Sequence, residues 1–143
     1  MTVAAILSSK GREVATTTAA KTLAEAVASL AKRKIGALVV VENGDRIVGI
    51  ISERDIVRVI AGKGAAALAE PVATVMTRGV VTCGESETID SVMERMTRGR
   101  FRHLPVVTDG RLDGIVSIGD VVKARIGQVE REAEEMRAYI ATA

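Results

Sequence analysis

Residues 14–58 and 80–123 are two copies of one segment, and this duplication constrains the fold more than any other feature of the chain. The first copy reads VATTTAAKTLAEAVASLAKRKIGALVVVENGDRIVGIISERDIVR, and the second VVTCGESETIDSVMERMTRGRFRHLPVVTDGRLDGIVSIGDVVK, with one residue deleted. Thr16/Thr82, Thr22/Thr88, Leu38/Leu104, Val40/Val106, Val41/Val107, Gly44/Gly110, Arg46/Arg111, Gly49/Gly114, Ile50/Ile115, Ser52/Ser117 and Asp55/Asp120 recur in the same order. A copy with its flanks has about 65 residues, near the size at which a lone core is only marginally stable. The expectation is therefore one intimate unit, with both copies packed on a shared core.

The spacing within each copy predicts strand, helix, strand, strand, helix. Thr22 with Glu25 makes a capping box, and Leu23, Val27 and Leu30 follow at helical spacing. In the second copy Thr88 opens the helix, with Ile89, Val92, Met93 and Met96 on its inner face. The apolar runs at 38–41 and 104–107 end at Asn43-Gly44 and Asp109-Gly110, dipeptides that suit type I′ hairpin turns because both central residues need φ > 0. Return strands at 47–51 and 112–116 then lead to short helices from Asp55 and Asp120.

Outside the copies, residues 2–10 precede the first much as 73–78 precede the second, and 62–78 form the linker. In the tail, Ile126, Val129, Ala133, Met136 and Ile140 are spaced by 3, 4, 3 and 4 residues, with charged residues on the other faces. This pattern predicts an amphipathic helix with a narrow apolar seam, suited to a partner helix or to its own module. The resulting division is 1–68 for the first repeat with its extension, 69–126 for the second, and 127–143 for the terminal helix.

Composition excludes several function classes. Hydrophobic residues make up 48% of the chain and aromatics 1%, so burial rests on Val, Ile, Leu, Ala and Met, and few rings are available to stack on bases. Twenty basic against 18 acidic residues leave a net charge of +2, without the basic excess of a duplex binder. The arginines Arg95, Arg98, Arg100 and Arg102 read as a solvated rim, and nucleic acid is not an expected partner. The single cysteine, Cys83, rules out an internal disulfide and an all-cysteine metal cage.

Residues 1–7 are apolar, but no signal-type segment follows. The longest apolar runs fall far short of the ~20 residues that span a bilayer. A soluble, cytoplasmic protein without a membrane partner is expected. Catalysis is not: Cys83 and His103 have no recognisable orienting group, and no GxGxxG, P-loop or HExxH motif is present.

The segments GIISERD (Gly49–Asp55) and GIVSIGD (Gly114–Asp120), the linker Val75-Met76-Thr77 and the strand Arg102-His103-Leu104-Pro105-Val106-Val107 resemble the CBS-domain family. The resemblance covers residues 2–126 and is that of a stand-alone bacterial CBS pair. It implies an α/β (α+β) fold of tandem βαββα repeats packed about a pseudo-twofold axis, with two clefts that take AMP, ADP, ATP or another adenosyl ligand. NAD and S-adenosylmethionine are further candidates, and Mg is implied only with a polyphosphate ligand. The resemblance also implies a homodimeric disc of four repeats, and an energy or ligand sensor acting in trans on another protein.

Ser52 with Asp55 and Ser117 with Asp120 are the leading candidate site residues. Considered alone, each pair reads as a helix cap worth about 1 kcal/mol. The resemblance makes Asp55 and Asp120 acceptors for the ribose hydroxyls, which an ionised carboxylate can serve, and the two roles are compatible. The serines would donate hydroxyls to the phosphate. Thr16 and Thr82 match threonines that contact nucleotide, with plain strand propensity as the other reading.

Arg102 and His103 match a basic pair that the gamma subunit of AMP-activated kinase uses on phosphate, a task suited to a guanidinium. Leu104 and Pro105 belong to the same motif. The first copy has Gly36 and Ala37 instead, with Lys34 and Arg54 able to compensate in charge, and the backbone at Ala37 and at His103 able to read the base edge. Ile35, Leu38 and Ile51 in one copy, and Phe101, Leu104 and Val116 in the other, would line the adenine slot, most of them as core residues first, with only one or two per site touching the base. Two unequal sites follow, with the one carrying Asp120 or the one nearest Arg102 expected to bind tighter.

Overall fold

The computed structural model describes residues 1–142. The elements are α1 (Val3–Lys10), β1 (Thr16–Thr17), α2 (Leu23–Arg33), β2 (Ala37–Glu42), β3 (Arg46–Ser52), α3 (Glu53–Lys63), α4 (Ile89–Gly99), β4 (His103–Thr108), β5 (Arg111–Ser117) and α5 (Ile118–Thr142). Two 3₁₀ turns, Gly64–Ala69 and Val72–Thr74, lie in the inter-repeat linker. The mixed α/β class and the repeated element order are those expected from the duplication. The opening strand is short: two residues in the first copy, and a bridge between Cys83 and Val106 in the second.

The chain divides into two compact units, one holding Glu13–Val81 with Thr108–Asp113, the other Met1–Arg12, Thr82–Val107 and the chain from Gly114 onward. Each unit holds its own cluster of buried apolar residues.

In the first copy β1 runs parallel to β2, with Thr16 opposite Val39, and β3 runs antiparallel to β2, with Ala37 opposite Ser52. Burial is continuous over Ala37–Val41. That explains an apolar run where a half-exposed strand would alternate. The turn between β2 and β3 has φ of 50° at Asn43 and 94° at Gly44, and its counterpart has 52° at Asp109 and 77° at Gly110, as type I′ turns require. Glu25 N–H donates to Thr22 Oγ1 at 3.2 Å and Thr22 N–H to Glu25 Oε2 at 3.1 Å, closing the expected capping box of α2.

The linker returns along this copy. Leu23 N–H donates to Glu70 O at 2.9 Å and Val72 N–H to Lys21 O at 2.7 Å. Farther on, Ile50 and Thr77 exchange both backbone bonds, at 2.9 and 3.0 Å. Val72 and Met76 thereby join Leu23, Leu30, Leu38, Ile51 and Ile56 in the core.

This close approach explains Gly49. A Cβ there would lie 2.6 Å from Met76 Sδ and 3.0 Å from the Thr77 carbonyl oxygen. The thioether can swing aside, but the backbone carbonyl is held in the bridge to Ile50. Gly49→Ala is therefore expected to destabilise the protein by about 1–3 kcal/mol, the usual cost of overpacking, exceeding the fraction of a kcal/mol gained by stiffening the unfolded chain. A fall in the urea midpoint at unchanged m-value checks it; an unchanged midpoint would refute the contact.

The second copy forms its core from Cys83, Ile89, Val92, Met96, Leu104, Val106, Val116 and Val121, with Val3, Ile6 and Leu7 of α1 added. Sequence order puts residues 1–12 ahead of the first copy; packing puts them with the second. Val3 N–H donates to Glu87 O at 2.9 Å and Ile89 N–H to Met1 O at 3.1 Å, which pins the segment to the start of α4. Leu7 lies over Gly114, where a Cβ would be 2.8 Å from Leu7 Cδ2. Each copy thus gains an apolar segment from outside itself, which supplies the area that about 65 residues lack.

The helix that starts after Ser117 and the expected terminal helix are one element, α5, without a break at 127. Ile126, Val129, Met136 and Ile140 along it are exposed. Among the described residues no helix is long and apolar enough to cross a membrane.

Candidate functional site

Ser52 ends β3 and caps α3. Asp55 N–H donates to Ser52 Oγ at 3.3 Å, while Ser52 N–H and Oγ–H donate to Asp55 Oδ2 at 2.9 and 3.0 Å. The second copy repeats the turn: Asp120 N–H donates to Ser117 Oγ at 3.1 Å and Ser117 N–H to Asp120 Oδ2 at 2.9 Å. The capping role is therefore realised in both copies. It leaves acceptor capacity, since an ionised carboxylate has about four lone-pair positions, and Asp55 and Asp120 are only half-buried.

Each turn is fastened to the start of the neighbouring strand. Glu53 N–H donates to Gly36 O at 2.9 Å and Ile118 N–H to Arg102 O at 2.8 Å. This brings Ala37 opposite Ser52, and places Arg102 and His103 at the Ser117 turn. Arg102 is exposed and His103 half-buried. Sequence-distant members of the candidate set thus share one corner in each copy.

The two corners differ in charge. Lys10, at the end of α1, donates from Nζ to Asp120 Oδ2 at 2.7 Å and to Ile115 O at 3.0 Å. Burial by itself would raise the Asp120 carboxyl. The hydrogen bonds from Lys10 and Ser117, with the Lys10 charge, outweigh burial and hold it below its ordinary 3.8. Lys10 was not among the residues expected from sequence. Its only signal there was the likeness of 2–10 to the linker, which does not say which copy the segment packs on.

The remaining candidates scatter. Thr16 is exposed on β1, and Thr82 is half-buried with its carbonyl accepting from Arg95 at 2.6 Å. Lys34 ends α2 in the left-handed region (φ 55°) and lines a pocket of about 590 Å³ between α2 and α3, together with Val27, Leu30, Glu53, Val57 and Ile60. Ser52 and Asp55 are not among that pocket's lining residues. Arg54 is exposed, beside Glu53, Val57 and Arg58.

Of the expected adenine slot, Leu38, Ile51, Leu104 and Val116 have no exposed surface and are core residues, while Ile35 and Phe101 stay half-buried. Pro105 is buried, and its carbonyl accepts from Cys83 N–H at 3.0 Å.

The arginine cluster is partly consumed within the fold. Arg95 pairs with Glu87 at 2.6 Å and Arg98 with Glu94 at 2.6 Å. Cys83 is buried, and its thiol is pushed up to about 11 by burial first and by Glu87 second, with Arg95 opposing. Such a thiol is protonated at neutral pH and is a poor nucleophile. Among the described residues no group of three or more His, Cys, Asp and Glu side chains could hold a metal ion.

Comparison with known proteins agrees with this architecture. The CBS domain family model matches residues 5–62 and 72–127. The CBS domain-containing protein CBSX3, mitochondrial, of Arabidopsis thaliana is 35% identical over 147 residues, covering 97% of this chain and 71% of that protein. The CBS-domain containing protein ATU1752 from Agrobacterium tumefaciens superposes with a TM-score of 0.85 at 49% identity, over 87% of this chain and 99% of that one. The CBS domain pair of protein MJ0100, solved in complex with 5′-methylthioadenosine and S-adenosyl-L-methionine, gives a TM-score of 0.80 at 29% identity, over 90% of this chain and 98% of that one. With two matched repeats filling most of its length and the same strand–helix turn in each, this chain belongs to the CBS domain family as a tandem pair.

Proposed function

We propose that this CBS pair is a regulatory module that binds an adenosyl ligand, AMP or ATP among the candidates, and reports its presence in trans to another protein. The observation that carries the reading is the duplicated Ser-x-x-Asp turn. In each copy it presents a half-buried carboxylate beside the first residues of the neighbouring strand. The adenosyl complexes of the MJ0100 pair support the ligand class. Asp55 and Asp120 accept the ribose hydroxyls, the Ser52 and Ser117 hydroxyls lie beside them as acceptors and hold the carboxylates in place, and Arg102 supplies positive charge in the second copy with His103 next to it. The reading assigns no catalytic step, in keeping with the buried, protonated Cys83, and it carries homodimerisation and a cytoplasmic setting as further expectations. The exposed apolar residues of α5 are the surface offered for a protein readout.

Calorimetry with AMP, ATP, NAD, S-adenosylmethionine and 5′-methylthioadenosine tests the reading on wild type, Asp55→Asn and Asp120→Asn. Asparagine keeps a neutral acceptor for the Ser52 and Ser117 N–H groups, the half of the capping box that alanine would remove. A hydrogen bond to a charged group is worth about 1.5–3 kcal/mol, so each variant should weaken its own site by tenfold or more. Absence of heat from every ligand, or affinities untouched by both substitutions, would refute the reading.

A further inference from the structure

The duplication supplies an internal comparison. Leu7 over Gly114 repeats Met76 over Gly49, and the bridge from Thr2 to Thr88 repeats that from Pro71 to Thr22. The two segments then diverge. After Met76 the chain is extended, and Thr77 N–H donates to Ile50 O at 2.9 Å. After Leu7 the helix continues, and Lys10 Nζ takes the matching carbonyl, Ile115 O, at 3.0 Å. An ammonium has protons to spare where a backbone N–H has one, and Lys10 spends another on Asp120 at 2.7 Å. The hydrogen bonds to the Asp55 carboxylate, among the described residues, come from Ser52.

We infer that Lys10 is an internal occupant of the Asp120 site, competing with ribose hydroxyls for the carboxylate, so that the Asp55 site fills first. The inference rests on the ribose-accepting role proposed for the two aspartates. Lys10 and Asp120 side chains are 33% and 24% exposed, so the pair is less screened than a surface ion pair. A hydroxyl that displaces the ammonium replaces a charge-assisted bond between two ions with a weaker one. Occupancy of the Asp120 site is then coupled to displacement of the Lys10 ammonium from the carboxylate. A ligand drives that displacement only by the difference in its affinity for the two states. This ordering opposes the first of the two alternatives expected from sequence, in which the site carrying Asp120, or else the one nearest Arg102, binds tighter.

The test isolates the Asp120 site with Asp55→Asn and compares it with and without Lys10→Met, which keeps the apolar stem and removes the charge. Lys10→Gln serves as a second variant, and circular dichroism checks the fold. The main probe is 5′-methylthioadenosine, which is uncharged, so loss of the ammonium cannot weaken a phosphate contact; AMP is run in parallel. The expected result is affinity tightened by about tenfold on removing Lys10, and tightening by added salt only where Lys10 is present. Unchanged or weaker binding of 5′-methylthioadenosine, or of AMP if only AMP binds, would overturn the role of Lys10 and leave the nucleotide reading standing. Absence of binding by both ligands in every protein, wild type included, would overturn the nucleotide reading and the inference with it.

Discussion

Leu7→Ala is expected to cost about 2–5 kcal/mol of stability, the range for removing a fully buried leucine, although the residue lies ahead of both repeats in sequence. Leu7 is 1% exposed and belongs to the same cluster as Ile89, Met96, Leu104 and Val116. Its isobutyl group also fills the space a side chain at Gly114 would need, with Cδ2 and Cδ1 at 2.8 and 3.1 Å from an added Cβ. Gly114→Ala in the wild type should therefore cost about 1–3 kcal/mol through overpacking. In the Leu7→Ala background that clash is gone. The double variant should be more stable than the sum of the single losses implies, with a coupling of about 1–2 kcal/mol. Urea melts of the four proteins measure it. Strict additivity would mean that α1 does not pack on the second copy.

At pH 8 the native Cys83 thiol is expected to react with an aromatic disulfide reagent a thousandfold or more slowly than in the urea-unfolded chain. Two effects combine. Cys83 is 4% exposed, so the reagent needs an opening of the core. Such openings are rare if core protection follows the global stability of about 5–15 kcal/mol typical of folded domains. Burial also keeps the thiol protonated, with its pKa pushed up to about 11 from 9.0. The same shift makes stability depend on pH. The folded state retains a proton that the unfolded chain gives up above pH 9, so stability is full below 9 and declines as pH rises toward 11. Leu7→Ala, in the same core, should speed labelling by about thirtyfold or more if opening is in equilibrium, since 1.4 kcal/mol is a factor of ten. Fast labelling of the wild type would show that this core opens locally without global unfolding.

The duplicated segments, their element order, both hairpin turns and the capping boxes are local properties and were legible in the residues. Thr22 with Glu25 and Ser52 with Asp55 need only a three-residue separation to satisfy each other. Asn43-Gly44 and Asp109-Gly110 need only their own tolerance of positive φ. The Ser-x-x-Asp pairs were legible for the same reason, and the fold carries both to the start of a neighbouring strand. The adenine slot was less legible. Apolar residues at strand positions look alike whether they face a ligand or a core; Leu38, Ile51, Leu104 and Val116 are core, as most of the set was expected to be, and only Ile35 and Phe101 keep exposed surface.

What the sequence alone determined was therefore the repeat, its local geometry and the chemistry offered at each turn. The tertiary structure alone decided which flanking segment closes which repeat. Apolar stripes such as Val3, Ile6 and Leu7 are drawn to any uncovered sheet, because hydrophobic burial has no direction and no memory of sequence order. The chain satisfied the second copy with its own beginning and the first copy with the linker. That choice carries Lys10 to a carboxylate 110 residues away and makes the two chemically repeated turns electrostatically unequal.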